Sequence, residues 1–350
     1  MSVDAKVLLA CVEDLEARID PAQEALVRRA WIDFCDGRWN DNVFYGLARN
    51  ANKPRARWPA ISVNQAIGDF DAMLLQQLQG CSDQLDGGRG WLCVRCNYGT
   101  GILPSLFGCE TFMMDEELNT LPAARPLGGG DAILKLLDKG VPDLEGGLGD
   151  KVFAMALRYL DMFGKYPTIA GHVELFHPDV QGPIDVAEVV WGSDIFYAFY
   201  EAQPLLRDFL ELVTQTYAAF MRKWYKLVPR RGEHSVHWGM LHKGALMIRN
   251  DSLMNLSPEM YVEFVRPLDQ RLFDEFGGGA MHFCGRGDHY IARMCEMAGL
   301  AAVNPSQPHL NDMETIYRST VDKGIKLLNL RKHAVDSAAR PLRGQVHCSG

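Results

Sequence analysis

The stretch GGGAMHFCGRGDHY, residues 277–290, decides the fold. Gly277-Gly278-Gly279 halts whatever helix precedes it, Ala280–Cys284 reads as a short strand, and Asp288 is placed to cap a following helix. Upstream, Ser257-Pro258-Glu259 is a helix start: a serine cap, proline where its missing N–H does no harm, and an acid at the positive end of the dipole. Tyr261, Phe264, Leu268, Leu272 and Phe276 then recur at steps of three and four, giving one apolar face. Downstream, Leu300–Asn304 reads as a strand, and Asn311 or Asp312 caps a helix running to about Lys323. Gly324 breaks that helix, Ile325–Leu330 is a strand, and Gly344–Cys348 reads as the last one. Strands and helices that alternate over short connections imply parallel strands joined by crossover helices.

Two architectures satisfy that pattern, a doubly wound open sheet and a (β/α)8 TIM barrel. No strand leads into a full G-x-G-x-x-G turn: Gly285-Arg286-Gly287 is a fragment, with Tyr290 where the third glycine should stand. The mixed texture begins near Ala60 and has no midpoint linker. It includes expected strands at Trp91–Asn97 and Thr168–Leu175, and helical stretches at Lys151–Phe163 and Ile184–Lys226. The expectation is a single TIM barrel over residues 60–350, preceded by an N-terminal helical extension over residues 1–59. In that extension Asp20 caps a helix beginning at Pro21, with Leu26, Ala30 and Phe34 on one side and Gly37 at its end.

Charge and composition narrow the function. A formal net charge of -8 argues against nucleic acid as a partner, since such binding rests on a basic face that displaces counterions. No apolar run approaches the roughly 18 residues a membrane helix needs. Nine cysteines at irregular spacing do not form a disulfide framework, so a reducing, cytoplasmic setting is expected.

The chemistry concentrates at the barrel end of the key stretch. His282 and Cys284 lie two apart in a strand, so imidazole and thiol project to one face, at the C-terminal end where barrels place their sites. A borderline-soft ion such as zinc accepts that pair, although a core cysteine beside a hydrogen-bonded histidine has the same pattern. Cys348, ending the last strand, is the candidate third ligand, and Asp251 a possible further ligand or supporting acid. Asn304, Gln307 and His309 follow a strand and His237 sits in a loose group with His234 and His242, making these four the candidate substrate-binding residues. Cys93-Val94-Arg95-Cys96 is strand-like and sends its two thiols to opposite faces, unlike a metal knuckle.

Gly182-Pro183 before a long helix, Asn250-Asp251-Ser252, the Leu256–Glu259 helix start and the Met281–Gly285 strand, in this order, resemble the uroporphyrinogen decarboxylase superfamily. The resemblance implies a (β/α)8 barrel. The decarboxylase branch, which acts on a tetrapyrrole acid without metal, carries an arginine-rich N-terminal segment and a tyrosine after Gly-Pro. Here the segment is missing and Val189 stands at the tyrosine position. The chain is more similar to the zinc-dependent branch that moves methyl groups to or from corrinoid proteins. That branch's zinc pattern falls on His282, Cys284 and Cys348. The implied cofactors are zinc and a corrinoid carried by a partner protein, and the implied substrate is a small thiol or methyl donor. A tetrapyrrole decarboxylase and a non-catalytic tetrapyrrole- or corrinoid-binding barrel are the competing readings.

Overall fold

The structure is a computed structural model that describes residues 3–349. Its twelve strands are β1 (Val43–Phe44), β2 (Cys93–Val94), β3 (Thr111–Phe112), β4 (Ala123–Ala124), β5 (Glu174–Leu175) and β6 (His234–His237), followed by β7 (Met240–Lys243), β8 (Leu246–Arg249), β9 (Gly279–Phe283), β10 (Leu300–Pro305), β11 (Lys326–Arg331) and β12 (Val346–Ser349). Six of them form one parallel sheet in the order β1-β12-β11-β10-β9-β8. A separate parallel pair joins β2 to β5, while β3–β4 and β6–β7 are antiparallel. The expected alternation of parallel strands and helices is therefore present in the C-terminal third. Gly277 does halt the helix Arg266–Phe276, at φ 83°, where a side chain would be strained.

The ladder does not close into the barrel expected from the sequence: β1 and β8 are the edges of the main sheet. Side chains intrude at both seams. After β5 the chain runs into His177 and Pro178, and the His177 Nε2 accepts the Met247 N–H at 3.3 Å, a donor that a neighbouring strand would otherwise take. Between β1 and β2, Trp31 Nε1 donates to Arg89 O, and the Arg49 guanidinium donates to Gly88 O and Gly90 O. Arg49 is itself fixed by a bidentate, buried pair with Glu24, at 2.5 and 2.9 Å.

Other local expectations are corrected. The stretch expected to be a helical extension contains β1, which pairs with the last strand. Asp20 and Pro21 do start a helix, Pro21–Cys35, but its buried face is Val27, Trp31 and Phe34, leaving Leu26 exposed. Residues 167–172 are helical instead of extended, because the Glu16 carboxylate accepts the N–H groups of Thr168 and Ile169 and caps Pro167–His172 from a distant helix. The helical region expected over 184–226 is built of three helices, Pro183–Trp191, Ile195–Glu201 and Gln203–Leu227, divided at Gly192 and Ala202. Asp288 does not cap a helix; its carboxylate holds Arg286 and the Asp312 N–H.

The period-two alternation of the strands sorts two cores. Met281, Phe283, Val303, Leu327, Leu330, Val346 and Cys348 pack toward the helices. Phe44, Met247, Ala280, Ala302 and Leu328 face the other way, onto Trp31 and Phe34 of Pro21–Cys35 and onto Val236, Met240 and Leu241 of the β6–β7 hairpin. The hairpin tip is Trp238 at φ 50° and Gly239 at φ 77°, the left-handed pair that tight two-residue turns require.

Candidate metal centre

His282 shares the parity of Ala280 and points with it to the hairpin side of the sheet, while Cys284 follows at the strand's end. Asp251 arrives from β8 through Asn250. Its 3-10 turn, Asp251–Asn255, is capped by Asp185 of Pro183–Trp191, whose carboxylate accepts the Asp251 N–H at 2.7 Å and the Ser252 N–H at 2.8 Å. Burial, and then the neighbouring Asp251, push the Asp185 carboxyl up to about 8. Gly182 allows this approach: a Cβ there would lie 2.0 Å from Asn250 Oδ1.

The three functional atoms converge. Asp251, His282 and Cys284 each offer one ligand atom, all within 4.8 Å of one another. His282 Nε2 lies 3.5 Å from Cys284 Sγ and 3.6 Å from Asp251 Oδ1. Zinc bonds of about 2.0–2.3 Å at tetrahedral angles put ligand atoms about 3.3–3.8 Å apart, so both separations match the edges of such a tetrahedron. The tautomer fits as well. Asn304 Nδ2 donates to Leu328 O at 2.8 Å, which turns its Oδ1 toward His282 Nδ1 at 2.7 Å. Nδ1 therefore carries the proton and Nε2 keeps its lone pair for a metal, the usual supporting arrangement around a ligating histidine. Among the described residues this is the group of three or more such side chains with ligand atoms so close.

Burial, chiefly, holds the His282 imidazole below its ordinary value, against the pull of Asp251 and of the Asn304 bond. The Cys284 thiol is pushed up to about 11, mainly by burial and further by Asp251, against the Ser306 hydroxyl that donates to its sulfur at 3.1 Å. One thiolate, one carboxylate and a neutral imidazole would balance a dication to zero net charge. The chemistry of the donor set thus fits zinc.

Cys348 is not brought to this group. It lies on β12, separated from β9 by β11 and β10, and its side chain is fully buried in the helix-side core. The parity is the reverse of the one expected: His347 faces inward, against Trp31 and Phe44, and Cys348 outward toward the helix Lys332–Asp336. The register shift between Leu327 and Leu330 on β11, with Asn329 at φ 61°, accompanies this pairing. Asp251, named from sequence only as a further possibility, occupies the third position.

The four expected substrate-binding residues separate. Asn304 orients His282, as described. Gln307 Oε1 accepts the Gly285 N–H at 2.6 Å and so braces the loop after Cys284. His309 is exposed. His237 is fully buried in a chain of three imidazoles, its Nε2 2.7 Å from His177 Nε2 and its Nδ1 2.8 Å from His242 Nε2. Burial holds His177 down at about 3 and His242 at about 4. His234 stays at the surface beside Asp36. Sequence reading missed Asp185, Ser306 and His177; the first was signalled by its place just after Gly182-Pro183, the other two by nothing local.

No family model and no curated protein matches this chain. Among solved structures, a methyltransferase from Methanosarcina mazei is similar over 87% of this chain and 83% of its own, with a TM-score of 0.60 at 15% sequence identity. At that identity the likeness is one of fold. Among the described residues no helix is long and apolar enough to cross a membrane.

Proposed function

We propose that this chain is a zinc-dependent methyltransferase that moves a methyl group between a corrinoid on a partner protein and a small thiol or methyl donor. The observation that carries the reading is the convergence of His282, Cys284 and Asp251, with Cys284 Sγ 3.5 Å and Asp251 Oδ1 3.6 Å from a His282 Nε2 whose tautomer is fixed. The fold of the similar methyltransferase and the resemblance of the C-terminal half to the corrinoid branch of the uroporphyrinogen decarboxylase superfamily support it. We read the six-stranded sheet and the β2–β5 pair as the eight parallel strands of one (β/α)8 barrel opened at two side-chain-stitched seams. The metal group then lies beyond the C-terminal end of β9, the end at which barrels do chemistry.

When bound, zinc would lower the pKa of a substrate thiol toward neutrality and hold its sulfur in place. The chain's own residues set the conditions for this. His282 presents Nε2 because Asn304 holds Nδ1–H; Cys284 and Asp251 supply the two negative charges; Ser306 and the Cys284 N–H fix the sulfur and Asp251 Oδ1 respectively. Asp251, with a side chain 42% exposed, keeps one side of the group open to an incoming substrate. In the thiol-methylating direction the thiol proton leaves to solvent and the sulfur takes the methyl group. The electron pair of the broken cobalt–carbon bond stays with the corrinoid, which passes from cobalt(III) to cobalt(I). The test is to incubate zinc-loaded protein with methylcobalamin and a panel of small thiols, following loss of the methyl-cobalt absorbance and formation of thioether. Turnover that disappears in Cys284→Ala is expected; equal rates with and without protein would overturn the reading.

A further inference from the structure

The three imidazoles of His177, His237 and His242 lie outside the metal group, and their hydrogen bonds do not balance. At one end of the chain His242 Nδ1 lies 3.1 Å from Lys243 O, and at the other His177 Nδ1 lies 2.9 Å from Pro178 O. A carbonyl only accepts, so both of these nitrogens carry protons. Between the ends, His242 Nε2 lies 2.8 Å from His237 Nδ1, and His237 Nε2 lies 2.7 Å from His177 Nε2. These four contacts need four protons, and three neutral imidazoles bring three.

Moving protons among neutral rings only relocates the defect. With Nδ1–H on both outer rings, their Nε2 atoms are acceptors, as the Met247 N–H 3.3 Å from His177 Nε2 also requires. His237 then faces an acceptor on each side with a single N–H to give, and its other nitrogen opposes a lone pair. Shifting the His177 proton to Nε2 mends that contact but sets a bare Nδ1 against Pro178 O and an N–H against the Met247 N–H. All three side chains are at most 2% exposed, so bulk solvent does not complete the count.

We infer that this chain is a one-proton site, in which His237 binds the fourth proton and donates as an imidazolium to His242 Nε2 and His177 Nε2. Charge-assisted bonds on both sides then replace one neutral bond and one repulsive contact. Burial keeps the outer rings neutral, and they remain the acceptors that the arrangement requires. Burial and the guanidiniums of Arg249 and Arg95 oppose the charge on His237, while Asp179, paired with both arginines, offsets them. Glu174, Arg230 and Arg231 line with His177 and His237 a cavity of about 230 Å³, and Arg230 and His234 act on His242. The site therefore fills as pH falls, with one proton for three histidines.

That proton fastens two parts of the fold. His237 ends β6, whereas His177 follows β5 and takes the Met247 N–H of β8, so their bond ties the β6–β7 hairpin to the β5–β8 seam. Trp238, the next residue after His237, forms the hairpin tip, and its ring stands 5.2 Å from the His282 ring. Losing the proton loosens the hairpin beside the metal group. The proton site itself is defined without metal and does not rest on the proposed function.

The experiment is NMR spectroscopy of the full-length protein with isotopically labelled histidine nitrogens, titrated between about pH 8 and about pH 5, across the ordinary histidine range. Single His→Gln variants assign the three rings. At the acid end of the folded range His237 alone of the three is expected to carry protons on both nitrogens, with a coupling to His177 Nε2 across the shared hydrogen bond. Three neutral rings at every pH at which the protein is folded would overturn the inference, as would an imidazolium at His177 or His242 instead. His177→Gln supplies the missing hydrogen from an uncharged amide while its oxygen accepts the Met247 N–H. In that variant the His237 midpoint is expected to fall by about one pH unit or more, and an unchanged midpoint contradicts the proton count. The wild-type titration is decisive even if this variant does not fold.

Discussion

Replacing Asn304 by Leu isolates one link in the metal centre, because Asn304 touches the would-be ligand His282 and not the metal. The native amide makes two bonds, Nδ2 to Leu328 O at 2.8 Å and Oδ1 to His282 Nδ1 at 2.7 Å. Leucine keeps the branching at Cγ, though it is bulkier, and removes both. His282 then has a buried Nδ1–H without an acceptor, and moving the proton to Nε2 would consume the lone pair that binds metal. Loss of such a supporting bond weakens metal affinity about 10–100-fold, or about 1.4–2.7 kcal/mol. The orphaned polar groups should also lower folding stability by about 1–3 kcal/mol. Zinc affinity is measured by competition against a chromophoric chelator, and stability by urea unfolding of the zinc-free protein. Asn304→Asp is the control: its carboxylate still accepts the Nδ1–H, so it should hold zinc far better than the leucine variant while losing the donor to Leu328 O. A folded Asn304→Leu protein with wild-type zinc affinity would refute the tautomer argument.

Three further outcomes follow from other parts of the molecule. Glu24→Gln leaves the buried Arg49 charge without its counterion and should destabilise the fold by about 3–5 kcal/mol in urea titrations; a change under 1 kcal/mol would deny that this pair stitches the β1–β2 seam. His347 is held by burial at about 3, below its unfolded value of about 6.5, so the unfolded chain takes up a proton that the folded one refuses. Its contribution is present above about pH 6.5 and is lost as pH falls toward 3. His347→Phe should therefore flatten the pH dependence of stability by about 1.4 kcal/mol per unit between about pH 6 and 4. Cys348→Ala should keep its full zinc content by elemental analysis, since the thiol faces the helices; loss of metal would show that β12 turns over to supply a ligand.

What the sequence made legible was whatever is local. The helix start at Ser257-Pro258, the stop at Gly277 and the strands β9 to β11 are written in caps, breakers and alternation over a few residues each. The pairing of His282 with Cys284 needed only the two-residue period of a strand. Cys348 shows the limit of the same rule: alternation relates His347 to Cys348, but which of them points inward is decided by pairing with β11 and β1. Asp251 was visible as an acid without a role, since its position depends on Asp185, 66 residues earlier in the chain. The helix at Pro167–His172 looked like a strand because the carboxylate that caps it, Glu16, is 152 residues distant from Thr168. The open seams were unreadable for the same reason, being made by the side chains of His177, Trp31 and Arg49 inserted from elsewhere.

The central claim is that Asp251, His282 and Cys284 hold one soft divalent ion, and its most direct test is the metal content of the purified protein with and without the sulfur. The wild type should carry about one zinc per chain, and cobalt(II) in its place should give a thiolate-to-metal charge-transfer band. In Cys284→Ala both should vanish while the thermal melt of the zinc-free protein is unchanged. A wild-type chain that stays metal-free in excess zinc, or a Cys284→Ala variant that keeps a full equivalent of metal, would contradict the assignment.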